Sequence, residues 1–174
     1  AIREYEMGSG LNNIGIVYRN KGDYEKALYF LNRSLKIFKE IGDRHGIGYS
    51  LHNIGTVYGN KGDYEKALDY HDRSLAIREE IGYKYGMGVS LTGIGFVHWN
   101  KGDYDTALNY YDRSLTIKEE LGDKYGISNN LNNIGLVHWN KGDYDTALDY
   151  YDRSLTIKEE LGDKYGISNN LNNI

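Results

Sequence analysis

The sequence predicts an all-α solenoid of antiparallel helix pairs, about four repeats of 40 residues, with nine helices of which the last is truncated. Three observations carry this. The stretch NKGDY recurs at residues 20–24, 60–64, 100–104 and 140–144, a period of 40 without slippage. Between its copies, apolar residues recur at helical spacing, as in Ile47, Leu51, Ile54 and Tyr58. Glycines then punctuate each repeat twice, once at NKGD and once about twenty residues later.

Taken in order, the helix pairs span about 3–42, 43–82, 83–122 and 123–162, with 163–174 opening a fifth. In the second copy, Gly62 ends the first helix by adopting the left-handed conformation, and Asp63 caps the next. The second helix then carries Tyr64, Ala67, Leu68, His71, Ser74, Leu75 and Ile81 on one stripe, and Gly82 ends it. Asp43, Asp123 and Asp163 follow the corresponding glycines and are expected to cap the next first helix; Tyr83 stands there in the second copy, so that cap is missing. Residues 97–134 and 137–174 differ only at Asn109 against Asp149, the near-identity of a recent duplication or of deliberate design.

Gly15, Gly55, Gly95 and Gly135 sit mid-helix, where Gly costs about 1 kcal/mol against Ala. Each is followed twelve residues later by Ala27, Ala67, Ala107 or Ala147. Small residues at facing positions let paired helices approach closely, and stacked neighbours bury what one pair cannot. In the last complete unit Leu131, Ile134, Gly135, His138, Ala147, Tyr151 and Ser154 fill the slots of a known signature: this array resembles the tetratricopeptide repeat family. It departs from that family's usual unit in length, and Lys39, Glu79, Glu119 and Glu159 replace the family's Pro, which lets the second helix run on. That is similar to the longer-unit class of Rap-type regulators, kinesin light chain and spindle adaptors. The resemblance implies a right-handed superhelix whose concave face is lined by the first helix of each unit.

Composition narrows the function. Net charge is −4 with acids and bases interleaved, so there is no basic stripe for nucleic acid. No apolar run approaches the roughly 18 residues of a membrane span. Cys is absent, which excludes disulfides and thiolate metal sites and points to a reducing, cytoplasmic setting. The chain begins at Ala1 and reads as a single repeat domain from a longer protein.

An enzyme reading finds little support. His98 and His138 share a slot with Tyr18 and Tyr58, His71 with Tyr111 and Tyr151, and His45 with Tyr5 and Tyr85, so these four are expected to be aromatic packing residues. No recurring catalytic constellation, HExxH pair or cofactor motif is present; GIGYSL and GMGVSL follow helices and lack a third Gly, and GDYD falls far short of a calcium loop. The Asn32-Arg33-Ser34 sequon lies inside a helix. The expectation is a non-catalytic chain with no metal and no cofactor.

The groove reading is stronger. At about 100° per residue, Asn129, Asn132 and Asn133 share an arc of the first helix opposite its packing face. The matching positions are Asn12 and Asn13 in the first copy, Tyr49, His52 and Asn53 in the second, Val89 and Phe96 in the third, and Asn173 in the last helix. These positions vary most between copies while the packing slots hardly change. An Asn amide both donates and accepts, so it can pair with the backbone of an extended peptide. Asn13, Asn53, Asn133 and Asn173 form such a ladder, interrupted by Gly93, and the resemblance implies that these Asn grip peptide backbone. A carboxylate clamp of the chaperone-tail kind is set aside, since Arg19 at the edge is almost the only basic residue of this face. The expected partner is a protein or extended peptide, in trans or from the same full-length chain, with neither nucleic acid nor membrane. The alternative is an assembly scaffold whose uncapped ends, including Ile167, Leu171 and Ile174, stack chain on chain, as end-to-end contacts in a crystal would display.

Overall fold

A computed structural model describes residues 2–163. These form eight α-helices and no strand: α1 Ile2–Asn20, α2 Tyr24–Glu40, α3 Arg44–Asn60, α4 Tyr64–Glu80, α5 Lys84–Asn100, α6 Tyr104–Leu121, α7 Lys124–Asn140 and α8 Tyr144–Glu160. The expected ninth helix lies outside the described residues. Contacts divide the chain into two compact units, Ala1–Val97 and His98–Ile174. In the first, α1 packs antiparallel on α2 and α3 on α4, while α2 also meets α3; in the second, α7 packs on α8 and α6 on α7.

Helix boundaries follow local chemistry. Asp63 Oδ1 accepts from Lys66 N at 3.3 Å, and Asp23, Asp103 and Asp143 cap α2, α6 and α8 in the same way. At the other end of each connection Gly62, with φ 80°, lets Asp63 N–H reach back to the Tyr58 carbonyl at 3.0 Å. Asp123 caps α7 through Gly126 N–H at 2.9 Å, as expected. Asp43 does not cap α3, contrary to expectation: no side-chain bond forms there and its Oδ2 is buried without a partner. The reason is the neighbouring slot. The ring of Phe38 lies against Gly46, taking the space over the first turn that the Asp123 carboxylate occupies above Gly126.

The mid-helix glycines do what their spacing suggested. A Cβ on Gly15 would lie 2.6 Å from Leu31 Cγ and 3.2 Å from the Ala27 carbonyl oxygen; one on Gly55 would lie 3.1 Å from that of Ala67. Around these approaches the first unit buries Ala27, Leu31, Leu35 and Phe38 of α2 against Ile47, Leu51, Ile54 and Val57 of α3. The second buries Ala107 and Tyr111 of α6 with Ile134 and Val137 of α7. Exposed ion pairs 36 residues apart recur in two registers: Glu25–Lys61 and Asp105–Lys141, each at 2.7 Å, link successive helix pairs, while Arg44–Glu80 and Lys124–Glu160, the latter at 2.9 Å, close a single pair. Each adds at most about 1 kcal/mol, so packing rather than charge holds the stack.

Gly135→Val tests the close approach. The added Cβ would stand 2.8 Å from Tyr151 Cε1 and 3.2 Å from the Ala147 carbonyl oxygen. The variant should lose about 1–3 kcal/mol in urea unfolding, and an unchanged midpoint would contradict this helix pairing.

Candidate ligand cleft

One stripe of α4 builds the site in the first unit. Ala67, His71, Ser74 and Arg78 follow at helical spacing, and together they reach the first helices α3 and α5. Ala67 meets α3 at Gly55. His71 fills the space beside Gly55 and Gly93, where added Cβ atoms would come within 3.0 and 2.8 Å of its ring. Ser74 Oγ donates to the Gly48 carbonyl at 2.7 Å and lies 3.0 Å from Ser90 Oγ. Arg78, only 4% exposed, donates from Nη1 to the Gly86 carbonyl at 2.7 Å and to Ser90 Oγ at 2.8 Å.

Above Arg78 lies a half-enclosed cleft of about 660 Å³ bounded by α1, α3 and α5. Of the residues the sequence singled out, Asn13, Tyr49, His52, Asn53 and Val89 line it together. Tyr5 and Ser9 of α1 and the N-terminal ends of α3 and α5, with His45, Tyr83 and Tyr85, complete the wall. His45 packs its ring edgewise on Tyr83, 5.0 Å away, and does so at the exposed wall of the cleft. The other three also pack: His71 is buried, and His98 and His138 stack on Tyr110 and Tyr150, each pair 5.6 Å apart.

The remaining candidates sit elsewhere. Asn12 is fully buried behind the cleft wall: its Nδ2 donates to Ser50 Oγ at 2.8 Å, and its Oδ1 accepts from Asn53 Nδ2 at 3.0 Å. Asn53 in turn also donates to the Tyr49 carbonyl and accepts from Arg19 Nη1 at 3.4 Å, so its amide is largely committed inside the protein. Phe96 is exposed but does not line the cleft. In the second unit Asn129, Asn132 and Asn133 are half-buried on α7, while their neighbour Asn130 is fully buried, donating to the Tyr111 carbonyl at 2.9 Å and accepting from Lys118 Nζ at 2.8 Å. Asn173, Ile167, Leu171 and Ile174 lie outside the described residues.

Sequence reasoning missed Arg78. Its slot holds Phe38, Lys118 and Lys158 in the other repeats, all buried, so cations in three copies of a buried position were the available signal. Burial pushes Arg78 down to about 10, opposed by the Tyr83 and Tyr49 phenols, and Lys118 down to about 8. Burial also lowers His71 to about 4, with Arg78 adding to it, and drives His52 well below the usual imidazole range, helped by His71 with its ring 4.9 Å away. Both histidines are therefore neutral near neutral pH. Among the described residues no group of three His, Asp or Glu side chains is placed to hold a metal, and no helix is long and apolar enough to cross a membrane.

The tetratricopeptide repeat family model matches residues 6–80 and 86–173, and the chain belongs to that family. No curated protein sequence matches it. Among solved structures it is similar to a Rap protein complexed with competence and sporulation factor, with TM-score 0.90 at 19% identity over 96% of this chain and 46% of that one. Aspartyl phosphate phosphatase F from Bacillus subtilis superposes with TM-score 0.88 at 18% identity, over 96% and 44%. BtubC (BKLC) from P. vanneervenii gives 0.84 at 18% identity, over 97% and 70%. At these identities the likeness is one of fold, and this chain spans less than half the length of the first two proteins.

Two substitutions examine the wall behind the cleft. Asn12→Leu leaves Ser50 and Asn53 without their shared partner and should cost about 1–3 kcal/mol in urea unfolding; no loss would mean those bonds are dispensable. His71 sets a pH dependence. An unfolded His titrates near 6.5 and folded His71 near 4, so between them the unfolded chain binds more protons and stability falls as pH drops. His71→Leu, matching Leu31 in the first repeat, should lose less stability than the wild type from about pH 7 to about pH 5. Equal losses would mean His71 does not titrate in this way.

Proposed function

We propose that the chain is a non-catalytic scaffold that binds a protein or extended peptide along the first-helix face of its repeats, with the cleft of the first unit as the principal docking site. The observation that carries this is the convergence of Asn13, Tyr49, His52, Asn53 and Val89 on one open cleft of about 660 Å³. Those positions vary most between the repeats, and a half-enclosed cleft that mixes polar side chains with an aromatic rim suits a segment of chain better than a small, wholly apolar ligand. Asn13 and Ser9 stand at its surface and supply hydrogen-bonding groups for a peptide backbone, and Tyr49 and Tyr85 supply flat apolar area with little entropy to lose. A similar structure, that of a Rap protein, is complexed with competence and sporulation factor, and carrying partner recognition over from it is part of this reading. The similar structures are mostly longer than this chain, which supports taking the repeats as the recognition part of a larger protein.

The test uses the surface of the cleft and leaves Asn53 alone, because its bonds hold the wall. Wild-type chain and an Asn13→Ala/Tyr49→Ala variant are immobilised and exposed to lysate, and the captured proteins are compared by mass spectrometry. A partner retained by the wild type and lost by the variant, with helix content unchanged by circular dichroism, is the expected result. Identical captures would remove the cleft from the function.

A further inference from the structure

Arg78 places a buried guanidinium at the floor of the cleft. Its two acceptors, the Gly86 carbonyl and Ser90 Oγ, are neutral and both are served by Nη1; among the described residues Nε and Nη2 have no protein acceptor. Among the described residues no carboxylate pairs with it. Asp43 also lines the cleft, but its Oδ2 is closed to solvent and it forms no ion pair with Arg78. Arg19 is engaged with Asn20 and Asn53. A buried cation without a counter-charge is costly, and a ligand anion with two oxygens matches the planar guanidinium fork.

The surroundings favour the same sign. The N-terminal ends of α3 and α5 both line the cleft, each contributing the partial positive charge of its helix dipole. Neither has the carboxylate cap that α7 has: Asp43 makes no capping bond, and Tyr83 stands where Asp123 stands. The rim is aromatic, with Tyr49, Tyr83 and Tyr85 all exposed beside the charge.

Resting on the groove reading above, we infer that this cleft binds a peptide through a carboxylate, with Arg78 as its counter-charge and the rim tyrosines packing on the residue next to it. The charge comes from a second helix, so this is a different arrangement from recognition by the first-helix Asn residues. The carboxylate belongs either to an acidic side chain or to a peptide C-terminus, and the probes separate the two.

Three blocked peptides serve as probes against the full chain: acetyl-Glu-Tyr-Gly-amide, acetyl-Gly-Tyr-Gly with a free C-terminal carboxylate, and acetyl-Gln-Tyr-Gly-amide. Affinity is read by calorimetry and contact by the Arg78 Nε–H resonance. At least one carboxylate peptide should bind about tenfold tighter than the Gln-amide peptide and shift that resonance, the preferred one identifying the source of the carboxylate. Arg78→Met should remove the preference, and Arg78→Lys should restore part of it. Both variants should fold, since Phe38 and Lys118 occupy the same buried slot in other repeats; thermal unfolding followed by circular dichroism checks this. Equal binding of all three peptides would overturn the anion site while leaving the groove reading intact. Failure of all three to bind would also overturn it, and the lysate comparison above then decides the groove independently.

Discussion

The close approach of the two helices in each pair is the constraint from which the rest follows. It exists because Gly15, Gly55 and Gly135 present no side chain where Leu31, His71 and Tyr151 come to rest. Gly at mid-helix costs about 1 kcal/mol in propensity, and packing across the pair offsets it. Once the backbones are this close, the stripe of the second helix acquires fixed depths. Its Ala lies at the contact and its aromatic or aliphatic residue beside the glycine. Its Ser reaches a first-helix carbonyl, as Ser34 does Gly8, Ser74 does Gly48 and Ser154 does Ser128, each at 2.7 Å. The last position of the stripe lies one turn further on, under the N-terminal ends of the first helices. That is how a residue of α4 comes to form the floor of a cleft bounded by first helices.

Much of this was legible in the sequence. The period of 40, the apolar spacing and the twinned glycines specify two helices per repeat and their partners, because packing periodicity is a local property read over many residues. The cleft was legible in part. Asn13, Tyr49 and Val89 follow from angular position alone. Asn12 and Asn53 do not, because an Asn on the flank of a first helix is claimed by whichever neighbour lies across the gap. For Asn12 that neighbour is Ser50, thirty-eight residues on, and no helical wheel of one repeat contains it. Asn130 tells the same story, since its partners are Tyr111 and Lys118 of the preceding helix. The run of Asn in the last repeats therefore mixes two roles, internal polar bonding and a half-buried surface.

Asp43 and Arg78 were beyond sequence reasoning for a shared reason. The slot of Phe38, Arg78, Lys118 and Lys158 lies against the first turn of the next first helix, so its occupant decides what that turn can do. A rigid ring at Phe38 crowds Gly46 and leaves Asp43 without its capping bond. A flexible Lys at 118 leaves room for the Asp123 cap. Capping, treated in sequence as a local property of Asp and the three residues after it, is here set by a residue five positions upstream.

The same slot bears on why a charge is kept inside the fold. Phe38 shows that an apolar side chain fills the position and joins a core, so nothing in the repeat geometry requires a cation there. Replacing buried charges by apolar residues of similar size is commonly neutral or stabilising. Lys118 at least gains the Asn130 carbonyl oxygen, a residue that differs from Ser50 and Ser90 at the equivalent place. Among the described residues Arg78 has only a backbone carbonyl and a hydroxyl that Ser74 also engages, both served by Nη1. A buried guanidinium without a counter-charge beneath the cleft is a place where the local choice of residue and the packing disagree, as functional sites often do. The inconsistency disappears when the missing partner of the guanidinium is supplied by what enters the cleft.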